Sequence, residues 1–123
     1  MARVLRVGVY ATAWRCIQIH CDIAWMRRVG VGGMVVGRRV FFAKPADQIN
    51  PQLLRHELEH VYQQIREGVV IFYLKYFWYS LRYGYKDNPF EVEAHERQHD
   101  PLTQTEEQLL WKLREGSIKS RVA

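Results

Sequence analysis

The stretch Asn50-Pro51-Gln52-Leu53-Leu54-Arg55-His56-Glu57-Leu58-Glu59-His60-Val61-Tyr62-Gln63-Gln64-Ile65-Arg66-Glu67-Gly68 decides how this chain is read. Asn50 carries the side-chain oxygen an N-cap needs, Pro51 suits the first helical position, and Gly68 suits the stop. Between them Leu54, Leu58, Val61, Tyr62 and Ile65 recur at helical spacing and form one apolar face. Arg55, Glu59 and Arg66 fall on another arc and are expected in solvent. His56 and His60 lie on a border between the two, four residues apart, so both imidazoles leave the helix on the same side. That spacing lets two nitrogens reach one zinc ion. Glu57 is turned about 100° further round the helix, so it cannot join them as a ligand. It can instead take a proton from a water held by the metal as that water attacks a peptide carbonyl. The plain alternative is a pair of surface histidines beside a salt-bridging glutamate.

The same pattern occurs again as His95-Glu96-Arg97-Gln98-His99. There Arg97 and Gln98 make the interior polar, and Asp100-Pro101 ends the helix at once. The first copy is therefore the expected site, and of the second only His95 is kept, as a residue near the metal. Upstream of it, Asn88-Pro89 opens the helix that carries Glu91 and Glu93. Two residues on a helix stand roughly 200° apart, so only one of these can face the metal. Phe90, Ala94, Gln98, Glu91, His95 and Val92 share one arc, whereas Glu93, Glu96 and Arg97 share a charged one. The expected third ligand is Glu91, with helix capping at position N3 as its alternative role. His95, one turn on, and Tyr85 are the candidates for supporting the metal site or stabilising an oxyanion.

Around this centre the chain reads as one α+β domain spanning residues 1–123, with strands first and helices after. Its expected parts are a basic strand-rich region 1–49, active-site helices within 50–99 and a C-terminal helix 103–116. Residues 15–25 alternate in polarity and predict a strand, at least over 16–21, with a helix over 13–28 as the competitor. Met34-Val35-Val36 and Val40-Phe41-Phe42 around Gly37-Arg38 predict a short hairpin, and Val40–Phe42 is the expected edge for an extended substrate. Residues 69–83 are apolar and aromatic nearly all round, which predicts a buried helix; membrane-surface contact through 69–79 is the alternative. Thr103 and Glu106 have capping-box spacing and open the last helix, expected to end at Gly116.

Net charge is +5, but the excess is uneven. Residues 1–50 hold eight Lys/Arg against two Asp/Glu, and residues 51–123 hold ten against eleven. The basic excess thus lies away from the chemistry, and no base-stacking or recognition-helix pattern accompanies it, which argues against nucleic acid as the partner. Cys16 and Cys21 read as reduced thiols in or beside a strand rather than as metal ligands with His20. The start lacks a convincing signal-peptide core, and no window has the roughly 18 apolar residues of a membrane span, so the expected location is cytoplasmic.

The run Leu53–Gln64 resembles the active-site helix of zincin metallopeptidases, and more narrowly the short zincin domains among contractile-injection-system core proteins. Ile19-His20-Cys21-Asp22 and Val36-Gly37-Arg38-Arg39-Val40-Phe41-Phe42 precede it in the order those domains use. Asn88-Pro89-Phe90-Glu91-Val92-Glu93-Ala94 resembles the glutamate-bearing helix of gluzincins, including minigluzincins and the CAAX-protease type. The resemblance covers residues 16–98. It implies a zincin-like fold with a small sheet over the active-site helix, Zn2+ as cofactor on His56, His60 and Glu91, and hydrolysis of a peptide or protein substrate with Glu57 as the catalytic base. Glu59 departs from it, being charged where such motifs usually hold an uncharged residue. Two rival readings stand beside the peptidase: a non-catalytic, zinc-stabilised binding module, and a membrane-surface or nucleic-acid-associated protein.

Overall fold

Ile17, Ile19 and Cys21 alternate with half-buried Gln18 and His20, and they form a strand because one face of that alternation has a core to enter. The computed structural model describes the backbone of residues 3–7 and 17–122 and the side chains of residues 17–115. Within these limits the order is β1 (Arg3–Val7), β2 (Ile17–Cys21), α1 (Ala24–Val29), β3 (Gly33–Val36), β4 (Arg39–Phe42), a 3-10 turn (Ala46–Gln48), α2 (Pro51–Glu67), α3 (Val69–Tyr83), α4 (Pro89–Arg97) and α5 (Gln104–Val122). The architecture is α+β, a small sheet followed by helices, with α1 inserted among the strands. Alternation in the sequence continues past Cys21, yet the strand stops there. Asp22 turns to a φ of 62°, a left-handed conformation that breaks the extended run and lets α1 begin. Cys16 and the stretch from Gly8 to Trp14 lie outside the described residues, and Cys21 ends β2 as a buried thiol.

The sheet order is β1-β2-β4-β3. β3 and β4 form the expected hairpin, closed by two residues with Gly37 at φ 59°, the positive value a type II′ turn requires at its first position. β2 and β4 run parallel, the connection passing through α1 and β3. This crossover corrects one expectation. Val40–Phe42 is not an edge but lies between β2 and β3; among the described strands the edges are β1 and β3.

Val40 and Phe42 join Ile17, Ile19 and Cys21 on the sheet's inner face, against Leu54, Leu58 and Val61 of α2. Leu109, Leu110 and Leu113 of α5 close the same core. Asn50 caps α2 by accepting the Leu53 N–H at 2.7 Å, and the Gly68 N–H bonds the Gln64 carbonyl at its end. Thr103 and Glu106 exchange the two bonds of a capping box, at 2.8 and 3.2 Å. α5 does not end at Gly116 but stays helical to Val122, since one glycine costs a helix only about 1 kcal/mol.

Two expectations about helix faces fail. Arg55 and Glu59 are buried, not solvated, because α5 lies against their arc: Arg55 Nη1 reaches Glu106 Oε2 at 2.6 Å, and the Tyr62 hydroxyl donates to the same oxygen at 2.6 Å. Only Arg66 of the three faces water, paired with Glu93 at 3.0 Å. Conversely, α3 is not buried all round. Phe72 is its one buried residue, Tyr73, Tyr76 and Tyr79 are half-buried, and Val70, Ile71, Leu74, Phe77, Trp78 and Leu81 are exposed.

Candidate metal centre

The histidines of α2 and the first glutamate of α4 meet because both helices start at an Asn-Pro cap and cross with small Ala94 buried in the contact region. His56 Nε2 lies 3.2 Å and His60 Nε2 3.0 Å from Glu91 Oε1. One ligand atom from each of the three residues falls within 4.8 Å of the others, a grouping that can hold a metal ion. Glu93, two residues on, does not join them but takes Arg66 and the Gln63 amide, further along α2. Glu91 is not spent on capping its own helix. Its second oxygen accepts the Tyr76 hydroxyl at 2.7 Å, so α3 also fixes the carboxylate.

The imidazoles are oriented from behind. His60 Nδ1 lies 2.9 Å from Gln63 Oε1, and the Gln63 amide nitrogen donates to the Phe90 carbonyl at 2.9 Å and to Glu93 Oε1 at 3.0 Å. With its NH2 so engaged, Gln63 presents oxygen to His60, and Nδ1 must be the protonated nitrogen. Gln98 Oε1 holds His56 Nδ1 in the same way at 2.9 Å. A cation that displaces the Nε2 protons would then find both Nε2 lone pairs aimed at it.

Burial alone would lower both imidazole pKa values, but the Glu91 carboxylate, with Glu57 adding to it, holds them above the ordinary histidine range. Burial would raise Glu91, yet the bonds from His56, His60 and Tyr76 hold it well below the usual carboxylate range. The site's field thus favours positive charge at the Nε2 positions and negative charge between them. A divalent cation satisfies the same field, and two neutral imidazoles with one carboxylate are a donor set zinc accepts.

Glu57 is buried beside this trio, and desolvation first, then Glu91, pushes its carboxyl upward against the pull of the histidines. It sits against the first residue of β3. A Cβ on Gly33 would come within 2.5 Å of Glu57 Oε1, so glycine is what lets the strand edge pass this close to the carboxylate.

A cleft of about 710 Å3 opens over the trio, walled by residues 30–35 on one side and by Phe72, Tyr73 and Tyr76 on the other, with Tyr85 and His95 on its lining. The His95 ring stands edge-on to His56, centroids 6.0 Å apart. Burial of the Tyr85 phenol, and then Glu91, push its hydroxyl up to about 12, although most of the residue is exposed. His99, by contrast, lies beyond the end of α4 and exposed, so the second histidine pair does not assemble.

Residues 10–68 match the family of the eCIS core domain. The eCIS-core span covers somewhat less than half of the chain and contains the hairpin and all of α2, hence His56, Glu57 and His60. It stops at Gly68, before Tyr76, Glu91 and His95. No curated protein and no solved structure matches this chain.

Tyr76, Gln63 and Gly33 were not singled out by sequence reasoning. A signal for Tyr76 exists: Phe72, Tyr76, Tyr79 and Tyr83 form a stripe at helical spacing in which three of the four members carry a hydroxyl, unusual for a face meant only for packing.

Proposed function

We propose that this chain is a zinc-dependent peptidase of the gluzincin type. The observation that carries the reading is the convergence of His56 Nε2, His60 Nε2 and Glu91 Oε1 beside buried Glu57, at the floor of a cleft bordered by a free strand edge. Zinc on those three ligands would supply a fourth position for water, a lowered pKa for that water and a Lewis acid for the peptide carbonyl. The protein's own residues do the rest. Glu57, its carboxyl lifted by burial, accepts the proton of the attacking water and delivers it to the leaving amine. Tyr85 and His95, both on the cleft lining, are the donors available to the developing oxyanion. β3 offers its edge to an extended peptide at Gly33, the Val35 carbonyl being already taken by the Tyr73 hydroxyl, and Gly33 keeps that edge close to Glu57.

The test is Glu57→Gln, assayed beside the wild type on a broad library of unstructured peptides. The variant should keep its metal and fold while hydrolysis falls by about 10²–10⁴-fold. One observation favours a second reading: the ligands come from α2 and α4, so a bound metal would clamp two helices of a small domain together. If the wild type is inert on the library while metal removal lowers its melting temperature, the chain is a zinc-stabilised binding module instead.

A further inference from the structure

Helix α3 packs an aromatic face inward and leaves an apolar face outward, whereas a surface helix in a soluble domain keeps its outer face polar. Inward, Phe72, Tyr76 and Tyr79 pack on Phe90 of α4, with ring centroids 4.8, 6.4 and 5.6 Å away, and the Tyr73 and Tyr76 hydroxyls are bonded. Outward, Val70, Ile71, Leu74, Phe77, Trp78 and Leu81 make a stripe at helical spacing running the helix's length. Val70 is 71% exposed, Phe77 66%, Trp78 59% and Leu81 67%. No described residue covers them.

Three features choose the occupant. The charges on α3 are Lys75, which is paired with Glu67 of α2 at 3.0 Å, and Arg82, seven residues on along the same flank of the stripe; the helix itself has no Asp or Glu. Facing two copies of this surface together would bring Arg82 of each into the contact with no acid on α3 to answer it. The stripe also offers one polar atom, the Trp78 indole N–H, whereas a specific protein interface carries about one hydrogen bond per 100–200 Å2. A lipid interface needs no such directional partners, and it draws Trp to the headgroup level and cations to anionic lipid. Finally, 15 residues span about 22 Å, less than the hydrocarbon core, and no helix among the described residues is long and apolar enough to cross a membrane. The helix can lie in the interface but not traverse it.

We propose that α3 docks this domain on an anionic membrane surface, its outer stripe lying in the headgroup–acyl boundary. The inference is independent of the peptidase reading, since none of the stripe residues reaches the metal centre.

The experiment is co-sedimentation of the full chain with phosphatidylcholine vesicles with and without phosphatidylserine. The wild type should pellet with the phosphatidylserine vesicles and retain part of that binding in high salt, as an apolar contribution requires. Phe77→Ser/Trp78→Ser should lose at least about tenfold in partitioning, the loss expected for two apolar side chains withdrawn from lipid. Should that variant misfold, brominated acyl chains provide a second readout on folded protein: they should quench the wild-type tryptophan emission, and Trp78→Phe should lose most of that quenching. A wild type that leaves both vesicle types in the supernatant overturns the proposal. So does a concentration-dependent dimer in sedimentation velocity that the same double substitution abolishes, which would assign the stripe to a second copy of this chain.

Discussion

Helices α2 and α3 are consecutive, joined at Gly68, and each breaks the usual rule of burial in the opposite direction. α2 buries Arg55, Glu57, Glu59, His60, Gln63 and Gln64, whereas α3 leaves Val70, Ile71, Leu74, Phe77, Trp78 and Leu81 in solvent. A buried polar group is costly unless paired, and almost every one on α2 has an identified partner. Glu106 takes Arg55, Gln63 is bonded by Phe90 and Glu93, and His60 meets Glu91. Nothing among the described residues answers α3's outer stripe in that way. The difference teaches that polarity alone does not say which side of a helix is inside. One helix gathers polar groups and pairs them across the core, and the other leaves an apolar face that no described residue covers.

The largest effects that test this contrast are on stability. Arg55→Ala should cost about 3–5 kcal/mol in a denaturant melt, because Glu106 is left buried without its counter-charge. Burial would raise the Glu106 carboxyl, but the Tyr62 hydroxyl, the Thr103 N–H and Arg55 together hold it below its usual value. A carboxyl depressed in the fold stabilises above its unfolded pKa, and that contribution is lost as pH falls through the folded value. The stability gap between wild type and Glu106→Gln should therefore be full at neutral pH and shrink below about pH 4.5. A gap that widens in acid would contradict the pairing.

On α3 the two faces should respond differently to the same change. Phe72→Ala, on the buried side, should cost about 3–5 kcal/mol. Tyr76→Phe should leave the metal-free melt almost unmoved while weakening zinc binding by about 10–100-fold, since it removes only the bond that fixes Glu91 Oε2. The smallest effect belongs to the outer stripe: Phe77→Ala should stay within about 0.5 kcal/mol of wild type. A loss for Phe77→Ala as large as that for Phe72→Ala would mean that α3's outer face is packed in solution.

Much of this was legible from local chemistry. Asn50, Pro51 and Gly68 bound α2, Asn88-Pro89 starts α4, and the Thr103/Glu106 pair opens α5, because caps act within a turn of their own residue. Glu91 could be told from Glu93 because a two-residue step on a helix reverses the facing. What escaped was set by distant partners. The arc holding Arg55 and Glu59 looks like any solvated face until Glu106, about fifty residues on, lies against it. Val40–Phe42 was misplaced at an edge because the parallel pairing of β2 with β4 leaves no mark in either strand. The end of β2 turns on the backbone of Asp22, and aspartate alone does not announce a left-handed turn.

The central claim is a metal centre made by α2 and α4, and its most direct test is the zinc content of the full chain purified without added metal. The account predicts close to one zinc per chain for wild type, with His60→Ala carrying essentially none. Wild-type protein that carries no metal, takes up none when zinc is offered, and melts at the same temperature with and without a chelator would contradict it.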